Sequence, residues 1–334
     1  MIIDIHAHAV SEKFLFDLQT RSVAGLSSTL DGKGGFLVQR AGEQPHSLDV
    51  NLHRLERRLT SLKQRNIGLQ LFGPSPGFFA WQGGAAGGEL TRALHAQASE
   101  IEAQSGGLME SMAIAALGEP QHVVEELERA VDTYGFRSIM LPSSAGGHAL
   151  DDDIFSGLFA FIERRELAIF MHPTLGFPST RFGINGMNVL VGWPFETTLA
   201  VTRLIFSGVF ERHPGLKLIL AHGGGDLIFL RGRLDAAYSA TGWEAHPYYR
   251  NKITEPPTYY LNRIYYDTCS LSPESVRFVM NTMGEDRVLF GTDFPFEVGD
   301  ADGKIAISAI AGMSAGIQSK VLGGNAIKLL PAAA

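Results

Sequence analysis

Short apolar runs alternate with longer segments of helical period from one end of the chain to the other. Runs at 2–8, 67–72, 109–117, 136–141, 167–172, 216–222, 263–269 and 287–293 read as eight strands. Most are nearly continuous, as in IMLP, LAIFMHP, LKLILAH and RVLFGTD, which is the pattern of parallel strands covered on both faces. Between them the period changes. Leu48, Leu52, Leu55, Leu59 and Leu62 recur at spacings of four and three, with Ser47 as the N-cap and Glu56, Arg57, Arg58 and Lys63 on the outer surface. Segments 119–134, 152–165, 194–212 and 273–283 read as further helices, the last opened by Ser272 as N-cap and Pro273 at the first helical position.

Strand-then-helix repeated eight times predicts an α/β fold, a closed (β/α)8 TIM barrel. A doubly wound open sheet is the less economical reading, because its first strand would run into a glycine-rich phosphate turn and here it runs into His-Ala-His. The chain has 334 residues, more than the roughly 250 of a typical barrel. Three weakly patterned segments, 10–47, 174–193 and 240–261, account for the surplus as loop insertions. The first forms a small insertion subdomain after strand 1, and the whole of 1–334 reads as one barrel domain.

Composition narrows the function. With 28 basic and 35 acidic side chains, a net charge of −7 and no basic block, nucleic acid is not the expected partner. No uninterrupted apolar run reaches the roughly 18 residues of a membrane span, and no signal-type segment opens the chain, so a cytoplasmic protein without a membrane partner is expected. The single cysteine, Cys269, excludes an internal disulfide and a cysteine-based zinc site, and reads as a small buried apolar residue.

Four predicted strands end in histidine or aspartate: His6 and His8 on the first, His172 on the fifth, His222 on the sixth and Asp293 on the eighth. In a barrel, the C-terminal strand ends converge on one mouth. His6 and His8, two apart on a strand, face the same side and can reach one cation. A set of three histidines and one aspartate suits Zn2+ best, with Mn2+, Co2+ or Fe2+ as alternatives. One histidine position can instead serve as a general base. His222 fits that role, since Gly223, Gly224 and Gly225 leave space above it. The other histidines, His46, His53, His95, His122, His148, His213 and His246, read as surface or structural.

These motifs in this order resemble the amidohydrolase superfamily, in the branch typified by carboxymuconate-semialdehyde decarboxylases. The resemblance is carried by DIHAH at 4–8, HP at 172–173, the long run at 193–225 ending in AHGGG, FLRGRLDAAY at 229–238 and MGEDRVLFGTDFPF at 283–296. It implies His6, His8, His172 and Asp293 as metal ligands, with His222 and Asp293 as the catalytic pair and His222 activating a metal-bound water. It further implies Arg233 as a substrate-carboxylate ligand reaching across a dimer interface, Phe296 as an aromatic beside the substrate and Asp4 as a supporting carboxylate. Arg40 is the nearest candidate for the family's second substrate arginine, while His46 holds the ungapped position. Strand 4 ends in IMLPSS, without the bridging Lys or Glu of binuclear members, so a single metal is implied. The expected activity is non-oxidative decarboxylation of a small unsaturated or aromatic carboxylate by a homodimer or higher oligomer. The alternative is a mononuclear hydrolase or hydratase acting on a lactone, amide or enoic acid.

Overall fold

The computed structural model describes residues 1–78, 85–115, 117–118, 122–145, 148–174, 186–240, 242 and 252–330. The strands in chain order are β1 (Ile2–Asp4), β2 (Leu26–Leu30), β3 (Phe36–Arg40), β4 (His46–Ser47), β5 (Ile67–Phe72), β6 (Met109–Ser111), β7 (Ala113–Ile114), β8 (Ser138–Pro142), β9 (Ser144–Ala145), β10 (His148–Ala149), β11 (Ala168–His172), β12 (Lys217–Leu220), β13 (Tyr265–Asp267) and β14 (Val288–Leu289).

Two parallel sheets, β1-β5-β6 and β14-β13-β12-β11-β8-β7, make up the barrel wall. The predicted third strand is interrupted at Met112, whose N–H still donates to Phe72 O at 2.9 Å and so carries the wall across from β6 to β7. Closure between β14 and β1 is made by Ile5 N–H to Phe290 O at 3.0 Å, Asp293 N–H to His6 O at 2.8 Å and His8 N–H to Phe294 O at 2.9 Å. The result is a closed eight-stranded (β/α)8 barrel. Its interior is packed by side chains from all eight strands: Ile3, Ile5, Leu71, Met112, Met140, Phe170, Ile219 and Leu289, with Tyr265 against them. Outward residues such as Ile169, Leu218 and Val288 join helix residues Leu158, Val201 and Leu204 in the larger outer core. At the N-terminal end of the barrel, Gly323 lies against Met1 and Ile3 so closely that a Cβ would meet Met1 O at 2.4 Å, and Ala326 and Leu329 cap the interior.

Several sequence expectations need correction. Segment 48–62 is two helices, Val50–His53 and Leu55–Gln64, and the first is capped by Asp49 rather than by Ser47, which pairs in β4. Arg58 is buried, not on the surface. It sits on the same helical face as Leu55 and Leu62, and its guanidinium satisfies the buried Gln70 Oε1 at 2.9 Å and the carbonyl of His8. Segment 194–212 breaks at Gly208, where φ is +76°, into Trp193–Phe206 and Val209–Arg212. Asn188–Phe206 is a continuous helix long and apolar enough, by length and composition, to cross a membrane, although Val201, Leu204 and Ile205 pack in the outer core. By contrast, Ser272 caps Pro273–Met283 by accepting from Ser275 N–H at 3.0 Å, as expected.

Segment 10–47 folds as helix Glu12–Thr20 followed by the antiparallel sheet β2-β3-β4. Its apolar face, with Leu15, Leu18, Leu26, Phe36 and Val38, packs against Phe78, Leu90 and Leu94. Within the other two insertions, 175–185, 241 and 243–251 lie outside the described residues.

Candidate metal centre

The regular pairing of β1 ends at Asp4, and the chain then crosses the mouth through isolated bridges at Ala7 and His8. This irregular stretch brings His6 and His8 to one point, where His172 from the end of β11 and Asp293 from the turn after β14 meet them. Ligating atoms of His6, His8, His172 and Asp293 lie within 4.8 Å of one another, and all four residues are buried. Each histidine has its Nδ1 engaged elsewhere: His6 with Asp267 Oδ2 at 2.6 Å, His8 with Pro74 O at 2.9 Å and His172 with Pro173 O at 2.9 Å. The three Nε2 atoms are thereby turned inward. His6 and His8 Nε2 stand 3.1 and 3.0 Å from Asp293 Oδ1, and these three buried atoms have no hydrogen bond that satisfies them among the described residues.

Buried polar atoms without partners are expensive, and three that point at one another, with His172 completing the group of four, are explained by a cation between them. The donor set of imidazole nitrogen and carboxylate oxygen suits a divalent transition metal. Protonation agrees with that role for three of the four. Burial and the neighbouring imidazoles push His172 well below its ordinary value, and burial lowers His8, so both present neutral rings. Burial would raise the Asp293 carboxyl, but His6, His222 and His8 outweigh it and hold it well below the usual carboxylate range. His6 differs. Burial works against its charge, but Asp293 and Asp267 carry it up to about 10, so a proton competes with a metal for its Nε2.

His222 lies beside this cluster, with Nε2 3.4 Å from Asp293 Oδ2 and its buried Nδ1 without a partner among the described residues. The backbone at both residues is left-handed, φ +56° at His222 and +58° at Asp293. Such conformations in non-glycine residues persist where the surrounding structure enforces them, and they cluster at functional sites. Trp193 stacks on the His222 ring at 6.0 Å and 14° and meets His172 edge-on. A cavity of about 360 Å³ opens against His222, walled by Trp193, Ile228, Leu271, Phe278, Val279 and Val298.

The structure does not bring every candidate to this point. Phe296 does approach, its ring 5.2 Å from that of His8. Arg40 is buried at the end of β3 and donates to Gly77 O at 2.9 Å, just beyond the Pro74 that holds His8. Arg233 is exposed on helix Leu227–Ser239 and makes no ion pair among the described residues. Asp4 lies under the cluster, bound to His6 N–H, Thr292 and Gln70. Cys269 is buried and its thiol is pushed well above its ordinary value by burial, in keeping with an unreactive residue.

Trp193 and Asp267 stand at the site but are not among the residues that the strand-end pattern marks. The signal for Asp267 was present: it is the carboxylate of YYDTC, the last residue of β13, but the apolar run was read two residues further, to Cys269.

A closed (β/α)8 barrel with a three-histidine, one-aspartate cluster at its C-terminal mouth defines a metal-dependent barrel class. The chain belongs to the amidohydrolase family, whose model matches residues 3–332. It is 28% identical to 2-amino-3-carboxymuconate-6-semialdehyde decarboxylase of Dictyostelium discoideum across 98% of this chain and 91% of that protein. It is also 28% identical to gamma-resorcylate decarboxylase of a Rhizobium species, over 54% of this chain and 58% of the relative. Among solved structures, 5-carboxyvanillate decarboxylase of Novosphingobium aromaticivorans with bound manganese superposes with a TM-score of 0.81 at 19% identity, covering 98% of this chain and 96% of the other. Dihydroxybenzoic acid decarboxylase of Polaromonas, with manganese and 2-nitroresorcinol bound, gives a TM-score of 0.77 at 23% identity, with the same coverage. At these identities the two structures establish a shared fold.

Proposed function

We propose that this protein is a metal-dependent non-oxidative decarboxylase of a small aromatic or unsaturated carboxylate. The observation that carries the reading is the convergence of four buried donor atoms with His222 beside them, facing an apolar cavity. His6, His8, His172 and Asp293 would hold one metal ion, with zinc the species the donor set favours and manganese, which two structural relatives contain, the nearest alternative. When bound, the metal supplies a Lewis acid that stabilises negative charge on the substrate.

The chain's own residues do the rest. Trp193, Phe278 and Val279 offer flat and aliphatic walls to a ring, and no Lys or Arg stands among the described residues of that cavity. His222 holds the proton that the reaction consumes. The carbon–carbon bond to the carboxylate breaks, its electron pair stays on the ring carbon, His222 protonates that carbon, and carbon dioxide leaves.

Arg233, Arg40 and Phe296 are the substrate-binding candidates in this reading, with Arg233 acting in the site of a second copy. Support for that assembly comes from helix Leu227–Ser239, where Phe229, one turn before Arg233, is 83% exposed. In this reading the Phe229 ring is apolar surface that a second copy would cover in a homodimer or larger assembly. The same reading takes 1–334 as one domain in the cytoplasm.

The test is release of carbon dioxide from metal-loaded protein offered a panel of hydroxybenzoates and carboxymuconate semialdehydes. Product lighter by one carbon dioxide is expected. No such product from any of them, together with addition of water to a lactone or enoic acid, would overturn the reading in favour of a hydrolase or hydratase.

A further inference from the structure

We infer that Asp267 is a positioning residue that fixes one metal ligand and the turn carrying His222 at the same time. Its two carboxylate oxygens are divided between them. Oδ2 accepts from His6 Nδ1 at 2.6 Å, while Oδ1 accepts from the backbone N–H of Gly223 at 2.8 Å and of Cys269 at 3.1 Å. Asp267 is 1% exposed, so no water competes for these bonds. A single side chain on β13 therefore joins the start of the chain to the turn after β12.

The first tie sets a tautomer. With the proton held on Nδ1, the Nε2 lone pair of His6 faces the cluster. Nδ1 of His8 and of His172 meets a backbone carbonyl instead, so among the described contacts of the three Nδ1 atoms only that of His6 is to a carboxylate. The second tie holds strained backbone. His222 and Gly223 are consecutive left-handed residues, φ +56° and +63°, and the Gly223 N–H is the group Asp267 takes. Loss of that bond frees the turn that sets the distance from His222 to Asp293.

Gly291, on the neighbouring segment, supplies an independent sign that the pair is built in. A Cβ there would stand 2.9 Å from His6 Cβ, 3.0 Å from Asp267 Cβ and 3.4 Å from Asp267 Oδ2. The residue is glycine where the His6–Asp267 pair needs the room.

This inference rests on the metal reading of the cluster but not on the reaction, and its test is chosen accordingly. Asp267→Asn keeps an oxygen for Gly223 or for His6 but cannot serve both as acceptor. Full-length Asp267→Asn and wild-type protein are stripped of metal and titrated with Mn2+ and Zn2+ against a competing chelator, and amide exchange is followed in the peptide spanning Gly223. The expected result is a 10–100-fold loss of metal affinity, exchange at Gly223 at least tenfold faster, and circular dichroism of the metal-free variant like that of the wild type. Gly291→Ala, which crowds the pair without removing either residue, is expected to lose metal affinity in the same direction. Unchanged affinity in Asp267→Asn, or an affinity loss with Gly223 exchange unchanged, would overturn the dual role. Should Asp267→Asn not fold, Gly291→Ala decides: wild-type affinity in that variant would overturn the proposal. Failure to release carbon dioxide from any substrate would leave these measurements intact and count only against the proposed reaction.

Discussion

Asp4 binds Thr292 twice, accepting from its hydroxyl at 2.7 Å and its N–H at 3.1 Å, and so fastens the first strand to the segment after the last. The same carboxyl accepts from Gln70 Nε2 at 2.6 Å, and Gln70 in turn accepts from the buried Arg58. Burial raises the Asp4 carboxyl, while these donors and Arg65 oppose the shift. Arg58 and Arg65 also stand over the ring of Phe294, the residue after Asp293, at 4.9 and 4.5 Å. A buried polar network thus lies directly beneath the metal cluster.

Removing Asp4 leaves Thr292, Gln70 and the His6 N–H without their acceptor. Asp4→Ala should destabilise the fold by roughly 3 kcal/mol or more, because each orphaned buried donor costs about 1–3 kcal/mol. Thr292→Val removes one donor to Asp4 and the acceptor of the Phe294 N–H, and should cost about 1–2 kcal/mol, less than the loss of Asp4. Urea denaturation of the two variants checks the ranking, and equal losses would show that Asp4 is held by the Thr292 hydroxyl alone.

His222 should be separable from the metal ligands. Its Nε2 is 3.4 Å from Asp293 Oδ2, yet it stands outside the group of four close donors. His222→Gln is expected to retain stoichiometric metal and to lose about 10²–10⁴-fold in kcat. His172→Ala is expected to lose the metal itself, with activity not restored by added Mn2+ or Zn2+. Elemental analysis beside the rate distinguishes the two, and loss of metal from both would place His222 among the ligands.

Much of this was legible in the chain, for an identifiable reason. Parallel strands buried on both faces must be continuously apolar, so a His or Asp that closes such a run marks the barrel mouth; His172 and Asp293 were found that way. The residues that were missed or misplaced act through tertiary contacts that no local pattern encodes. Arg58 looked like a surface cation on an amphipathic helix, and only the folded chain shows it filling the needs of Gln70 and His8 O. Asp267 lay inside a run whose end was read two residues too late. The break at Gly208 and the Asp49 cap depend on single backbone conformations, where sequence pattern is weakest.

If Arg233 serves a neighbouring subunit's site, activity should be divisible between subunits. Arg233→Ala and His222→Gln are each expected to be nearly inactive alone. Mixed under conditions of subunit exchange they should recover about a quarter of wild-type activity, from dimers that carry one intact composite site. Size-exclusion chromatography confirms the assembly, and absence of recovery in freely exchanging dimers would put Arg233 outside the partner's site.

Acid stability should depend on a second, structural histidine. Burial lowers His95 from its ordinary value, and its hydrogen bonds require the neutral ring: Nδ1 donates to Glu126 Oε1 at 3.2 Å and Nε2 accepts from Ile114 N–H at 2.9 Å. Burial would raise Glu126, but His95 and the two-pronged contact of Arg129, at 2.6 and 3.0 Å, hold it down to about 2. With His95 neutral, we take Arg129 as the main source of that depression. Both groups act in the same direction. The unfolded chain takes up the His95 proton below about pH 6.5 while the native state resists it, so stability falls as pH drops from there, by at most about 1.4 kcal/mol per pH unit. Stability due to Glu126 is complete above about pH 4.5 and is lost as pH falls toward about 2. Unfolding free energies of metal-loaded wild type and His95→Gln at pH 7.5, 6.5 and 5.5 should therefore converge as the pH is lowered. A constant difference across that range would mean that His95 binds its proton as readily in the native as in the unfolded chain, and a difference that widens as the pH falls would mean that the native protein holds it protonated.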